Sequence, residues 1–191
     1  MDPAHGIDAA QRRFTARYEQ IAPALCVWAM RHVPATVRAR IEVDDVLQET
    51  WLRALRIQDR FQGDDAAFRS WIFAIAKNLL LEVQRSHKRL QRVRIDDGDT
   101  ARMQALEQVS ESVTALSQRL VRDEGIQLFH AHLQTLTRED QDLVSFCGLE
   151  GSTCGEAARK LGIGEEAAHK RWQRLRARLR ERGLAEQWLC A

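Results

Sequence analysis

The sequence predicts an all-α protein of two small helical domains joined by a linker, the second domain a helix-turn-helix. Three observations lead there. Apolar residues recur at three- and four-residue steps along most of the chain. No stretch alternates apolar and polar residues between turn signals, as a half-buried strand would. Only three prolines and ten glycines punctuate the 191 residues, so the breaks between helices are few. The helical periodicity decays from Arg94 to about Glu124, where IDDGDT and the polar runs SESVT and SQR read as a linker of weak helical tendency. The expected division is 1–93, a linker at 94–124, and 125–191.

A first helical pattern runs from Asp8 to about Gln20. It continues or restarts through Leu25, Trp28, Ala29 and His32, with Pro23 marking a break and Val33-Pro34 ending it. Asp44 is a suitable N-cap, and Asp45 suits the positive end of the dipole, for a helix Val46 to Ile57. Its apolar face is Val46, Leu47, Thr50, Trp51, Ala54 and Leu55, with Gln48, Glu49, Arg53 and Arg56 elsewhere on the cylinder. The loop QDRFQGDD, Gln58 to Asp65, leads into a long amphipathic helix, Phe68 to Arg89, striped by Phe68, Ile72, Ile75, Ala76, Leu79 and Val83. Its C-terminal end collects Arg85, His87, Lys88 and Arg89, which either form a solvated helix end or meet phosphate. Trp51 and Trp71 belong on core stripes. Phe61 and Phe68 either cover the helix junction or cradle an unpaired base.

In the second domain, Ile126, Phe129, His130 and Leu133 make one amphipathic helix, and Thr137 caps another through Leu143, Val144 and Phe146, broken by Gly148 and Gly151. Then Ala157-Ala158 and Leu161, a turn at Gly162, and a basic helix from Glu165 to Arg182 form the helix-turn-helix pattern. Small residues let the two helices approach, and Gly162 permits the tight turn. His169, Lys170, Arg171 and Arg174 are candidates to face a major groove or its phosphates, whereas Arg176, Arg178, Arg180 and Arg182 taken alone would be a solvated face.

A net charge of +2 excludes a diffuse nucleic-acid-binding tail, so the uneven distribution of charge matters more. Cations dominate from Lys170 to Arg182, while Asp44, Asp45 and Glu49 form an acidic cluster. No apolar run is long enough to cross a bilayer, and MDPAHGIDAAQRRF lacks a signal-peptide pattern, so a soluble cytoplasmic protein is expected. Cys26, Cys147, Cys154 and Cys190 make no Cys-x-x-Cys pair, and His130 and His132 share no helix face. No disulfide framework, metal or cofactor is expected. Nor is an enzyme, for want of a nucleophile-base grouping or a phosphate-cradling glycine loop.

Three segments in order carry a family resemblance. DDVLQETWLRALR at Asp44 to Arg56 resembles the polymerase-docking segment of bacterial sigma-70 family factors of the extracytoplasmic-function type. FRSWIFAIAKNLLLEVQRSHKR resembles their promoter-melting, minus-ten-reading segment. Leu136 to Gly151 followed by GEAARKLGIGEEAAHKRWQRLRARLRE resembles their minus-thirty-five domain. The resemblance implies a non-catalytic initiation factor whose partners are core RNA polymerase, promoter DNA and an anti-sigma protein. It implies polymerase contact by Asp45, Leu47, Gln48, Glu49 and Leu52. It implies minus-ten contact by Phe61, Gly63, Asp64, Lys77, Asn78, Arg85, Lys88 and Arg89, and minus-thirty-five contact by His169, Lys170, Arg171, Arg174 and Arg178. The chain departs from the family pattern at Cys154, Gly164, Ala167-Ala168 and Trp172, so the promoter sequence is not inherited from it. The alternative is a helix-turn-helix regulator that binds duplex DNA without polymerase.

Overall fold

The computed structural model describes residues 3–38, 41–92, 111–184 and 189, the side chains of 3–11, 87–92 and 111–112 excepted. Among the described residues the protein is all helix. The helices are α1 (Pro3–His32), α2 (Val43–Ile57), α3 (Asp65–Arg92), α4 (Glu111–Arg122), α5 (Glu124–Gln134), α6 (Arg138–Leu143), α7 (Cys154–Leu161) and α8 (Glu165–Glu181). Short 3-10 turns at Ala35–Val37 and Gln58–Arg60 and a π turn at Val144–Leu149 complete the set.

Helix α1 is the central element, packed by α2, α3, α4 and α5. Every residue from Ala24 to Ala29 is buried, so this part of the helix is enclosed on all sides. That enclosure explains why Pro23 lies inside α1 without ending it, against the break expected from the sequence. The missing N–H and the ring clash cost about 3 kcal/mol, and burial of Ala22 and of Ala24 to Met30 offsets them. Tyr18 donates its hydroxyl to the carbonyl of Leu47 at 2.6 Å, tying α1 to α2. Burial holds the Tyr18 phenol well above its ordinary pKa. Burial also pushes the Cys26 thiol up to about 12, with Asp123 and Asp44 adding to it, so this cysteine is inert as a nucleophile. Cys147 is buried and Cys154 half-buried. Cys190 lies outside the described residues.

Helix α2 starts three residues before the expected point, because Glu42 is its N-cap rather than Asp44. Glu42 and Asp45 form a reciprocal capping box, in which the Glu42 N–H donates to Asp45 Oδ2 at 2.8 Å. Trp51, Leu47 and Leu52 lie in the core with Phe68, Ile72, Phe73, Ala76 and Leu79 of α3. Of the expected α3 stripe, Ile75 alone is half-buried.

The second half of the segment read as a linker is helix α4. Val113, Leu116 and Leu120 bury one narrow stripe of it, and the helix packs on α1 and α2. Residues 93–110 lie outside the described part. Beyond α4, Asp123 caps α5 and Thr137 caps α6 through their side-chain oxygens. Gly148 does not break the helix that follows. It lies buried within the π turn, where an added Cβ would meet Leu189 at 2.7 Å and Trp172 at 2.9 Å. Gly151, at φ 75°, ends the turn in the left-handed region.

Burial lowers the pKa of His32, His130 and His132 below the ordinary 6.5. The unfolded chain therefore takes up more protons than the folded one as pH falls below about 6.5. The stability these neutral rings support is complete above that pH and is lost below it. Thermal circular-dichroism scans should show a melting temperature that falls from about pH 7 to about pH 5.5, and a flat profile would exclude the histidines as contributors.

Candidate nucleic-acid interface

Residues at three places carry the candidate contacts: the α2–α3 loop, one edge of α3, and the outer face of α8. The loop is pinned from below. Phe61 stacks on Trp71 with centroids 4.9 Å apart and meets Phe68 edge-on at 5.4 Å. The Arg17 guanidinium lies 4.2 Å from the Phe68 centroid and 5.5 Å from that of Phe61. It also donates to the Asp64 carbonyl at 2.8 Å and pairs with Asp65 at 2.9 Å. Phe61 thus covers the helix junction while staying half-exposed, and Trp71 is half-buried beside it rather than a core residue. Asp64 caps α3, accepting from the Ala67 N–H at 2.8 Å. Gly63 adopts φ 156°, and an added Cβ would stand 2.8 Å from Ala67 Cβ and 3.1 Å from the Phe61 ring. Gly63→Ala should therefore cost about 1–3 kcal/mol. A urea titration reads this directly, and an unchanged midpoint would show that the loop relaxes freely.

On α3, Ala74, Asn78, Leu81 and Arg85 form one exposed strip at helical spacing. Leu81 is 46 % exposed in the middle of it, a large apolar residue that lies off the core stripe. Lys77 does not join the strip. Its ammonium pairs with Glu150, a carboxylate only 3 % exposed, in the loop after the π turn. The side chains of Lys88 and Arg89 lie outside the described residues.

The residues of α2 implicated in polymerase contact divide in two. Asp45, Gln48 and Glu49 are half-buried, whereas Leu47 and Leu52 lie in the core and do not reach the surface. Asp45 is used in the capping box. Glu49 accepts from Arg53 at 2.6 Å, and Arg53 also bonds Glu82 of α3 at 2.8 Å. Gln48 donates to Ser117 of α4 at 3.1 Å.

Helices α7 and α8 are joined by a turn at Gly162–Gly164, with Gly162 at φ 67°. Thr153 and Glu156 form a capping box at the start of α7. The hydrogen bond from the Thr153 backbone, then that with its side chain, holds the Glu156 carboxyl below its ordinary pKa. Ala157 and Ala158 are buried, and Ala168, Trp172, Leu175 and Leu179 form the inner face of α8. His169, Lys170, Arg174 and Arg178 are exposed on the outer side. Lys170, Arg174 and Arg178 repeat at i, i+4 and i+8, so three cations line one edge. A groove lined by Arg171, Arg174, Ala177, Arg178 and Asp140 runs beside them. Arg171 itself is half-buried, donating through Nε to Asp140 and through a terminal nitrogen to Thr137 Oγ1 at 3.1 Å. It fastens α8 to α6.

Sequence reasoning misses Arg17, Leu81 and Glu150. Arg17 and Glu150 work through residues distant in the chain, which no local pattern signals, and Leu81 is an apolar residue exposed off the core stripe. Among the described residues no cluster of His, Cys, Asp or Glu could hold a metal ion, and no helix is long and apolar enough to cross a membrane.

Residues 17–90 match the family model described as Sigma-70 region 2. The matched span takes in the α1 core, α2, the pinned loop and almost all of α3. Neither the curated proteins nor the solved structures contain a match to the chain. Residues 17–90 are thus similar to a sigma-70 region 2 domain, which supports a sigma-70 family sigma factor.

Proposed function

We propose that the protein is a sigma factor of the extracytoplasmic-function type that directs core RNA polymerase to promoters and assists their melting. The match of residues 17–90 to Sigma-70 region 2 carries this reading. In it, Asp45, Gln48 and Glu49 of α2 contact the polymerase. The Phe61–Asp64 loop and the Asn78–Arg85 strip meet minus-ten DNA, with Lys77, Lys88 and Arg89 beside them. The C-terminal unit reads the minus-thirty-five element through His169, Lys170, Arg174 and Arg178 of α8. A helix-turn-helix pair with an exposed cationic edge supports that last assignment. The protein acts in the cytoplasm, and an anti-sigma protein is its expected regulator.

Transcription in vitro with purified core polymerase tests the reading. The expected result is a promoter-directed transcript that depends on the added protein, together with co-elution of protein and core. Duplex binding without any association with core would instead establish the helix-turn-helix regulator.

A further inference from the structure

Surface loops are mobile where little crosses to their backbone. The α2–α3 loop is restrained from outside, by a side chain of α1. Arg17 precedes Asp64 by 47 residues, yet its Nη2 donates to the Asp64 carbonyl at 2.8 Å and pairs with Asp65 Oδ1 at 2.9 Å. The same guanidinium covers the Phe68 ring and lies 5.5 Å from the Phe61 centroid. Asp64 in turn caps α3 through the Ala67 N–H. One side chain therefore holds the carbonyl of the cap residue, the first residue of α3 and the two aromatic rings of the junction.

These contacts position more than they stabilise. Arg17 Nε is buried without a hydrogen-bond partner among the described residues, an unfavourable state for a guanidinium donor. The Asp65 side chain is 87 % exposed, and an ion pair so open to solvent adds little to stability. What a planar guanidinium fork supplies is direction, since it holds its acceptors in fewer arrangements than an ammonium does. The half-exposed Phe61 is thereby presented on an ordered backbone.

We propose that Arg17 is a positioning residue for base capture: it presets the Phe61–Asp64 loop to receive an unpaired base of minus-ten DNA, acting through the loop rather than on the base. The capture rests on the sigma-factor reading; the ordering of the loop does not. A loop ordered in advance gives up less freedom when its ligand binds. Freeing the backbone of one residue that capture must order again costs roughly tenfold in affinity.

The test uses the full chain as Arg17→Met, which keeps an apolar stem without the charge or the fork, and as Arg17→Lys, which keeps a cation over the rings. Hydrogen exchange of the free chain, read by mass spectrometry, reports the loop. Amides of residues 61–67 should exchange about tenfold faster in Arg17→Met, with the buried parts of α1, α2 and α3 protected as in the wild type. Complexes of each form with purified core polymerase are then titrated with the single minus-ten strand of a promoter the protein transcribes, intact or with one abasic site at each position in turn. The wild type should lose at least about fivefold at the captured base, the lower end for a stacked base. Arg17→Met should bind core as the wild type does, bind the intact strand about tenfold more weakly, and lose little more at that position; Arg17→Lys should fall between. A merely structural role would weaken core binding as well and leave the abasic loss at its wild-type size. Should Arg17→Met lose its cooperative melt, Arg17→Lys carries the same comparisons. Unchanged loop exchange would overturn the positioning, and a wild-type abasic loss in the variants would overturn the capture. Faster loop exchange with no form binding core would leave the ordering of the loop standing and remove the capture together with the sigma-factor reading.

Discussion

Replacing Phe68 with alanine is expected to destabilise the N-terminal domain by about 3–5 kcal/mol, the range for deleting a buried aromatic ring. Phe68 is 2 % exposed and lies at the centre of a cluster, 5.6 Å from Phe14, 5.4 Å from Phe61 and 5.7 Å from Trp71 between ring centroids. The Arg17 guanidinium covers its face. Truncation removes the apolar burial, leaves a cavity between α1 and the loop, and withdraws the floor on which Phe61 stands. Phe68→Leu keeps most of the volume and should cost under about 1.5 kcal/mol. Urea unfolding followed by tryptophan fluorescence measures both. A loss below about 1 kcal/mol for the alanine variant would mean that the cluster is not what holds the loop. Promoter opening should fall in the same order as stability, because the loop and its support are one packed unit.

Removing Lys170, Arg174 and Arg178 together should change DNA binding without changing the fold. The three are exposed on one edge of α8, and the one ion pair they make among the described contacts is Lys170 with Glu166, itself exposed. Each phosphate contact contributes about 0.9 to the slope of log affinity against log salt. Three lost contacts should flatten that slope by roughly 2.7 and weaken binding by two to three decades at about 0.1 M salt. Arg171→Ala should behave differently. It strands Asp140, whose side chain is 12 % exposed, and should cost on the order of 1–2 kcal/mol of stability. Fluorescence anisotropy on a duplex across a salt series, paired with thermal melts, separates the two outcomes. An unchanged slope for the triple variant would exclude α8 as a phosphate-facing surface.

Much of this was legible from residue order because it depends on local spacing. The α3 stripe, the core position of Trp51 and the glycine turn at Gly162 each follow from a repeat or a backbone requirement that a short window contains. Helix α4 was hard to read for the same reason in reverse. Val113, Leu116 and Leu120 are its buried apolar residues, and its polar composition resembles a linker until another helix is there to receive the stripe. The family resemblance puts Leu47 and Leu52 at a partner surface, yet both lie in the core, where the apolar stripe of α2 already places Leu47, since one apolar residue type serves either environment.

The sequence by itself determined the helical class, the starts and stops of α2, α3 and α8 to within about three residues, and the cationic edge of α8. These follow from periodicity, capping and charge, which act over a few residues. Only the tertiary structure decided that Pro23 stays within α1, that Arg171 fastens two helices, and that Lys77 faces Glu150. The physical reason is common to all three. The energy of a proline, a guanidinium or an ammonium depends on what surrounds it, and here those surroundings come from segments between about 30 and more than 70 residues away in the chain, or from enclosure by several helices at once.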